Sequence, residues 1–208
     1  NRRLLVNIGA GNGIFCAEMM NSRFFECVLA VEPSDDMANE CRKKNIPVLN
    51  DMIEQCILKN IDVITNFELL EHLFEPGVFL KACAEKLKKN GLMIITTVCI
   101  EGFDLSILGK FSDNIRAPQH LNYFSKKGIR ILFEKSGFSI IEILTPGKLD
   151  VELVKLKVEK NPAILKNNIF LKNAFFSEYA DENIQQKFQE FISNSGLSSH
   201  MWIVAKRK

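Results

Sequence analysis

The sequence predicts an α/β protein built on a mostly parallel open sheet, and three features carry that prediction. The opening Leu4-Leu5-Val6-Asn7-Ile8 is an apolar run that enters a glycine-rich turn and then a helix-compatible stretch, the order of a buried strand, a tight loop and a helix start. Further apolar runs, Val28-Leu29-Ala30-Val31, Ile61-Asp62-Val63-Ile64-Thr65 and Leu92 to Val98, recur with helical patterns between them, the alternation of βαβ units. Glu32 ends the second run, roughly twenty residues past the loop, where a βαβ unit offers a carboxylate to a ribose diol.

Each element follows from local signals. Ile14 to Asn21 forms the first helix, with Phe15, Met19 and Met20 available to pack on the sheet. After Glu32, Pro33-Ser34-Asp35-Asp36 supplies helix-start chemistry for a short helix over Met37 to Lys44. Ile46-Pro47-Val48-Leu49 is a brief third strand ending at Asn50-Asp51. Strand four, Ile61 to Thr65, places Asn66, Phe67 and Glu68 at its C-terminal end, the edge where open α/β sheets bind ligands. Pro76 to Lys89 reads as a helix, with Pro in its first turn, Asn90-Gly91 past its end and a core stripe of Phe79, Leu80, Cys83 and Leu87.

Leu92 to Val98 is strand five. Glu101 to Ala117 lacks strong periodicity and is too long for an ordinary connection; loops of that length often carry function. Ser125 caps a helix running to about Ser136, which Gly137 stops, and Phe138 to Leu144 is another strand. Val151 to Lys160 is ambiguous between helix and strand, and Ala163 to Phe176 is helical. Asp181 caps a helix bearing Ile184, Phe188, Phe191 and Ile192 that ends near Gly196, and Met201-Trp202-Ile203-Val204-Ala205 is the final strand.

At 208 residues the chain is one domain with room for a proper core. A formal charge of +2 implies no nucleic-acid or anionic-membrane partner, and the terminal Lys206-Arg207-Lys208 reads as a solvated tail. No apolar run reaches transmembrane length. Six cysteines lie scattered without CxxC pairs, and three histidines leave little material for a zinc site. Reduced, partly buried thiols in a cytoplasmic protein are the economical reading.

Glycines at Gly9, Gly11 and Gly13 let the backbone pass close to a ligand, because no Cβ intervenes. Their spacing is GxGxG, and Ile14 stands where a dinucleotide fingerprint wants its third glycine. The competing reading is a plain strand-to-helix turn. The Glu32 carboxylate can accept hydrogen bonds from two vicinal ribose hydroxyls; its competing reading is a solvated strand end.

Together, the loop Asn7 to Gly13, Glu32, the stretch Asp62-Val63-Ile64-Thr65-Asn66-Phe67-Glu68-Leu69-Leu70-Glu71-His72 and Asn90-Gly91-Leu92-Met93-Ile94-Ile95-Thr96 resemble the class I S-adenosylmethionine-dependent methyltransferases. Pro118-Gln119-His120-Leu121-Asn122-Tyr123-Phe124-Ser125, followed by Gly137-Phe138, is similar to the small-molecule O-methyltransferase branch that includes ubiquinone-type and surface-saccharide enzymes. The resemblance covers most of residues 4–144 and returns in the last strand. It implies a Rossmann-like, seven-stranded, mostly parallel sheet with an antiparallel last strand and helices on both faces. Residues 1–98 would be the cofactor-binding half and 99–208 the substrate half of one methyltransferase domain.

In the minimal form of that fold the last two strands make a hairpin. Residues 147–198 depart from it and read as a helical insertion packed over the substrate side or used for homodimerisation. The chain opens at Asn1, almost directly in a strand, without an initiator Met or signal sequence. It therefore reads as a fragment that lacks the helix which, in the resembled family, usually precedes the first strand.

The resemblance also implies the chemistry. The cofactor would be S-adenosyl-L-methionine, leaving as S-adenosyl-L-homocysteine, seated by Asn7, Gly9, Ala10, Gly11, Gly13, Glu32, Pro33, Asp51, Met52, Asn66, Phe67 and Glu68. The family commonly sets an acid against the adenine amino group after the third strand, hence Asp51, with Met52 and Ile53 as apolar walls; an Asx turn is the equal alternative. The family usually has an acid where this chain has Asn7, near the cofactor's amino group, and the amide lacks the charge that strengthens a bond to an ammonium. Methyl transfer is an in-line displacement in which the cofactor brings the electrophile, so positioning carries much of the catalysis.

A hydroxyl acceptor must also lose a proton, which a histidine can take. His120 is the first candidate for base or substrate-orienting residue and His72 the second, each with a structural role as the alternative. His200 reads as structural, while Tyr123 and Phe124 line the substrate pocket or pack. No carboxylates cluster in the chain, so no bound divalent cation is expected.

The acceptor would be a small-molecule or saccharide hydroxyl. The saccharide preference rests on the resemblance of residues 101–147, including Thr145-Pro146-Gly147-Lys148-Leu149-Asp150, to polysaccharide-cluster enzymes. Two other readings stand. One is a nicotinamide-dependent oxidoreductase, against which Ile14 argues. The other is a methyltransferase-like binding module that has lost catalysis, kept open by Asn7 and the missing N-terminal helix.

Overall fold

The apolar runs become the strands of one sheet. The computed structural model describes residues 3–177 and 180–208. Its strands are β1 (Leu4–Ile8), β2 (Cys27–Val31), β3 (Val48–Leu49), β4 (Ile61–Phe67), β5 (Leu87–Val98), β6 (Phe138–Leu144) and β7 (His200–Arg207). They lie in the order β3-β2-β1-β4-β5-β7-β6. β1 pairs parallel with β2 and β4, and β4 with β5, whereas β7 runs antiparallel to both its neighbours. The order reverses between β1 and β4, which opens a crevice at their C-terminal ends.

The helices are α1 (Ile14–Ser22), α2 (Asp35–Lys43), α3 (Pro76–Lys86), α4 (Phe103–Leu108), α5 (Lys126–Lys135), α6 (Asp150–Lys160), α7 (Ile169–Phe176) and α8 (Glu182–Asn194). The main core joins Ile64, Met93 and Ile95 of the sheet to Phe79, Leu80 and Phe133 of α3 and α5. A second core sets Leu5, Val28 and Ala30 against Cys16, Cys41 and Ile46. A third belongs to the insertion: Val151, Val154 and Val158 of α6 meet Leu108, Leu171, Phe175 and Ile192. That three-and-four spacing of buried valines settles α6 as a helix.

Several boundaries shift for identifiable reasons. The helix expected over Pro76 to Lys89 stops at Lys86, because Leu87 is drawn into the ladder opposite Ile61. Lys88 Nζ then reaches Asp62 Oδ1 at 2.7 Å, and regular pairing resumes at Val63–Leu92. On α1 the buried residue is Cys16; Phe15 and Met19 pack as expected, but Met20 stands 39% exposed. The helix expected from Ala163 breaks into a short 3-10 turn (Pro162–Leu165) and α7, whose start is capped by Asn168 Oδ1 accepting from Leu171 N at 3.1 Å.

Ser125 and Asp181 cap α5 and α8 as the sequence predicts, accepting from Gly128 N at 3.0 Å and Ile184 N at 2.7 Å. The basic terminus is no free tail. Lys206 pairs with Leu92 and Ser139, the Arg207 guanidinium donates to the Leu87 carbonyl, and Lys208 N donates to Gly137 O at 3.0 Å. No helix among the described residues is long and apolar enough to cross a membrane.

Candidate active site

The glycine loop caps the crevice. Gly9, Gly11 and Gly13 have φ of 67°, 55° and 79°, a region that residues with a Cβ enter only under strain. Gly9 N donates to Val31 O at 2.9 Å and Ala10 N to the same oxygen at 3.4 Å, which ties the loop to β2. A Cβ on Gly13 would stand 2.6 Å from Ile46 Cδ1 and 2.9 Å from Cys41 Sγ, whereas nothing lies within 4 Å of one on Gly11. Gly13 is therefore packed inward and Gly11 faces open space. Gly13→Ala should lower stability by about 1–3 kcal/mol, from strain and crowding together. A thermal melt that matches wild type would contradict this.

Glu32 is no solvated strand end. It is buried, Oε2 accepts from Gly11 N at 2.8 Å and Oε1 from Ser34 N at 3.0 Å. Each oxygen keeps lone-pair capacity for a hydroxyl. Asn66 is fully buried at the end of β4; its Nδ2 donates to Ile8 O at 3.1 Å, and its Oδ1 is unpartnered among the described residues. A fixed carboxylate, an open backbone loop and a spare acceptor at the crevice fit an adenosyl cofactor.

The other residues expected around the cofactor divide. Asn50 Nδ2 donates to the carbonyls of Glu32 and Pro33, both at 3.1 Å, which holds the Asp51-Met52 turn beside them. Asp51 Oδ1 accepts from Met52 N at 2.8 Å, a local turn that still leaves its second oxygen, and Met52 is 46% exposed while Ile53 is buried. Phe67 meets Phe15 edge to face at 4.7 Å. Asn7 lies inside the sheet, its Oδ1 accepting from Thr65 Oγ1 at 2.9 Å. It also bonds Cys16, whose thiol burial pushes up to about 11.

Past β4 the chain turns at Glu68, with φ 47°, into a 3-10 turn over Leu70–His72. The segment after α4 docks on this turn. Leu121 N and Asn122 N both donate to Glu71 O, at 2.8 and 3.0 Å, and Asn122 Nδ2 donates to Leu73 O at 2.6 Å. That docking stacks His120 edge-on against His72 at 4.7 Å. His72 Nδ1 lies 2.8 Å from Gln119 O, and His120 Nδ1 lies 2.8 Å from Asn114 O. A carbonyl oxygen only accepts, so each Nδ1 carries the proton and each Nε2 the lone pair.

Glu71 completes the cluster, with one ligand-capable atom from each of Glu71, His72 and His120 within 4.8 Å of the others. Its Oε2 accepts from Thr97 Oγ1 at 2.8 Å, and Oε1 is unpartnered among the described residues. Burial, reinforced by the nearby charge of Glu68, pushes its carboxyl up to about 7. Two imidazole lone pairs and a carboxyl poised near neutrality can take a proton from a hydroxyl. The same donor types also hold divalent cations; the carboxylates look scattered in the chain, and only folding gathers this set. Glu71 is the site residue that sequence reasoning missed. Its adjacency to His72 was the available signal.

A cavity of about 540 Å³ is lined by Glu68, Val98, Asn114, Leu149, His200 and Trp202 among others; its link to the cluster is Asn114, whose carbonyl holds His120. Trp202 Nε1 donates to His200 Nε2 at 2.7 Å, and His200 Nδ1 lies 3.5 Å from Glu68 Oε1. His200, read from sequence as structural, thus faces this space. Leu149 and Leu153 bring the insertion over the same wall. Phe124 packs on the main core, and the Tyr123 hydroxyl accepts from Arg116 N at 3.2 Å. A larger groove, about 1100 Å³, runs between α6 and α8 without any residue of the glycine loop or the histidine cluster.

Comparison with known proteins agrees with this fold. Residues 2–143 match a family model described as a methyltransferase domain. The ubiquinone biosynthesis O-methyltransferase of Bradyrhizobium diazoefficiens is 31% identical over 114 residues, covering 50% of this chain and 44% of that protein. The protein of the same name in Rhodopseudomonas palustris is 24% identical over 174 residues, covering 72% and 66%. The chain thus spans less than half of the first relative's length. A solved SAM-dependent methyltransferase from Archaeoglobus fulgidus shares the fold, with TM-score 0.65 at 20% identity, covering 100% of this chain and 87% of that one. The family match sets the nicotinamide-dependent reading aside. With most of its length under that model, and a seven-stranded sheet of the order β3-β2-β1-β4-β5-β7-β6, the chain belongs to the class I S-adenosylmethionine-dependent methyltransferases.

Proposed function

We propose that the protein transfers the methyl group of S-adenosylmethionine to a hydroxyl oxygen of a small-molecule acceptor held in the 540 Å³ cavity. The observation that carries this reading is the gathering of Glu71, His72 and His120 within 4.8 Å, with Asn114, the partner of His120, lining that cavity. When bound, the cofactor supplies the electrophilic methyl group. Glu32 would hold its ribose, the loop at Gly11 would admit its approach, and Asn66 Oδ1 would accept from it. The protein's remaining task is to align the acceptor and remove its proton. His120 Nε2 takes that proton, with Glu71 and His72 sharing it.

The cavity wall of Val98, Leu149, Leu153 and Trp202 supports an acceptor with a flat apolar body, a hydroxylated aromatic rather than a saccharide. The names of the relatives, which refer to ubiquinone biosynthesis, support the same class. The test offers the protein methyl-labelled S-adenosylmethionine with matched sets of phenols, catechols and monosaccharides. Label is expected in an aromatic ether. Label in sugars alone would overturn the acceptor class, and saturable cofactor binding with no transfer to any acceptor would mark a binding module without catalysis.

A further inference from the structure

The segment that carries His120 is pinned from behind by a buried carboxylate that the chemistry above does not use. Asp104, on α4, is fully buried. Its Oδ2 accepts from Asn114 Nδ2 at 3.1 Å, and its Oδ1 is unpartnered among the described residues. Asn114 also presents the carbonyl to which His120 Nδ1–H donates at 2.8 Å, and its own N–H donates to Ser112 Oγ at 3.2 Å. One residue therefore joins the two groups, its side chain on Asp104 and its main chain on His120.

The anchor is set in a rigid frame. A second buried carboxylate, Asp150 on α6, accepts from Ser199 N at 2.9 Å, Ser198 Oγ at 2.8 Å and Gln189 Nε2 at 2.9 Å. These bonds tie α6 and α8 to the start of β7. Burial raises the Asp104 carboxyl above its ordinary range; a hydrogen bond with the Ser199 side chain opposes the shift, and the charge of Asp150 adds to it. A half-satisfied carboxyl in a dry site costs stability that an apolar residue there would not. Its position behind the Asn114 carbonyl gives it a use.

We infer that Asp104 is a positioning residue: through Asn114 it fixes the carbonyl that holds His120 in its Nδ1–H tautomer, leaving Nε2 free to receive the acceptor's proton. The inference rests on the role given to His120 in the proposed function. An imidazole in water favours the opposite tautomer, with the proton on Nε2. The carbonyl must therefore be held in place for its bond to His120 to decide the outcome.

The chain has three histidines, so long-range proton–nitrogen correlation spectra of isotope-labelled histidine can read each tautomer in the full chain. In wild type, His120 is expected as the Nδ1–H form. Asp104→Leu and Asn114→Ala should each move it to mainly Nε2–H and lower turnover roughly tenfold or more, with S-adenosylhomocysteine affinity unchanged within about threefold. Asp104→Asn, which can still accept from Asn114, should restore both. If Asp104→Leu does not fold, Asn114→Ala, at a half-buried position, carries the test. A His120 that keeps the Nδ1–H form in every folded variant would overturn the inference. A tautomer change without loss of turnover would leave the positioning intact and overturn the role of His120 instead.

Discussion

Glu71→Gln is expected to stabilise the protein increasingly as pH rises from about 4.5 to 7, and to hold that gain above 7. Burial lifts the folded-state carboxyl from 4.5 to about 7. Below the lower value both folded and unfolded chains hold the proton, so the group contributes nothing to the balance. Between the two values the unfolded chain releases its proton first, and the native state loses relative stability. Above the upper value the full penalty remains, on the order of 3 kcal/mol at most from about 1.4 kcal/mol per pKa unit. Glutamine keeps an acceptor for Thr97 Oγ1 and removes the titration. Urea midpoints of wild type and variant between pH 4.5 and 8 should therefore diverge with rising pH. A constant difference would mean that Glu71 titrates as an ordinary carboxyl. A variant more stable at neutral pH yet less active is the pattern of a group kept for function against stability.

Glu32→Ala is expected to weaken S-adenosylhomocysteine binding by roughly 30-fold or more, about 2 kcal/mol. Two losses combine. On the proposed cofactor site the ribose diol loses its acceptors, and the Gly11 and Ser34 N–H groups that the carboxylate now satisfies lose theirs, so the loop is less well set before the ligand arrives. Isothermal titration calorimetry measures this directly. A dissociation constant within threefold of wild type would show that the ribose is held elsewhere.

How far the sequence could be read depends on whether a signal is local. The glycine loop, the Ser125 and Asp181 caps and the stop at Gly137 are each decided within a few residues of chain, and all appear in the fold. By its spacing, Leu87 fits the helical stripe of Phe79, Leu80 and Cys83. Pairing with Ile61, a long-range event, takes it into the sheet. Glu71 escapes a sequence reading for the same reason. Its burial and its closeness to His120 arise when residues 119–122 bond to the turn after β4, and nothing in the spacing of the chain announces that docking. His200 needed the register of β7 against β5, which sets it opposite Val98 at the mouth of the cavity.

The pH dependence of methyl transfer to a phenolic acceptor, measured as kcat/KM for wild type and Glu71→Gln, tests the proton-handling role proposed for the cluster most directly. The wild-type rate is expected to rise with pH and level off above about 7, the value to which burial lifts Glu71. In Glu71→Gln that inflection should be absent and the plateau lower by roughly 100-fold or more. A variant with the wild-type plateau and the same inflection would contradict a role for Glu71 in taking the acceptor's proton.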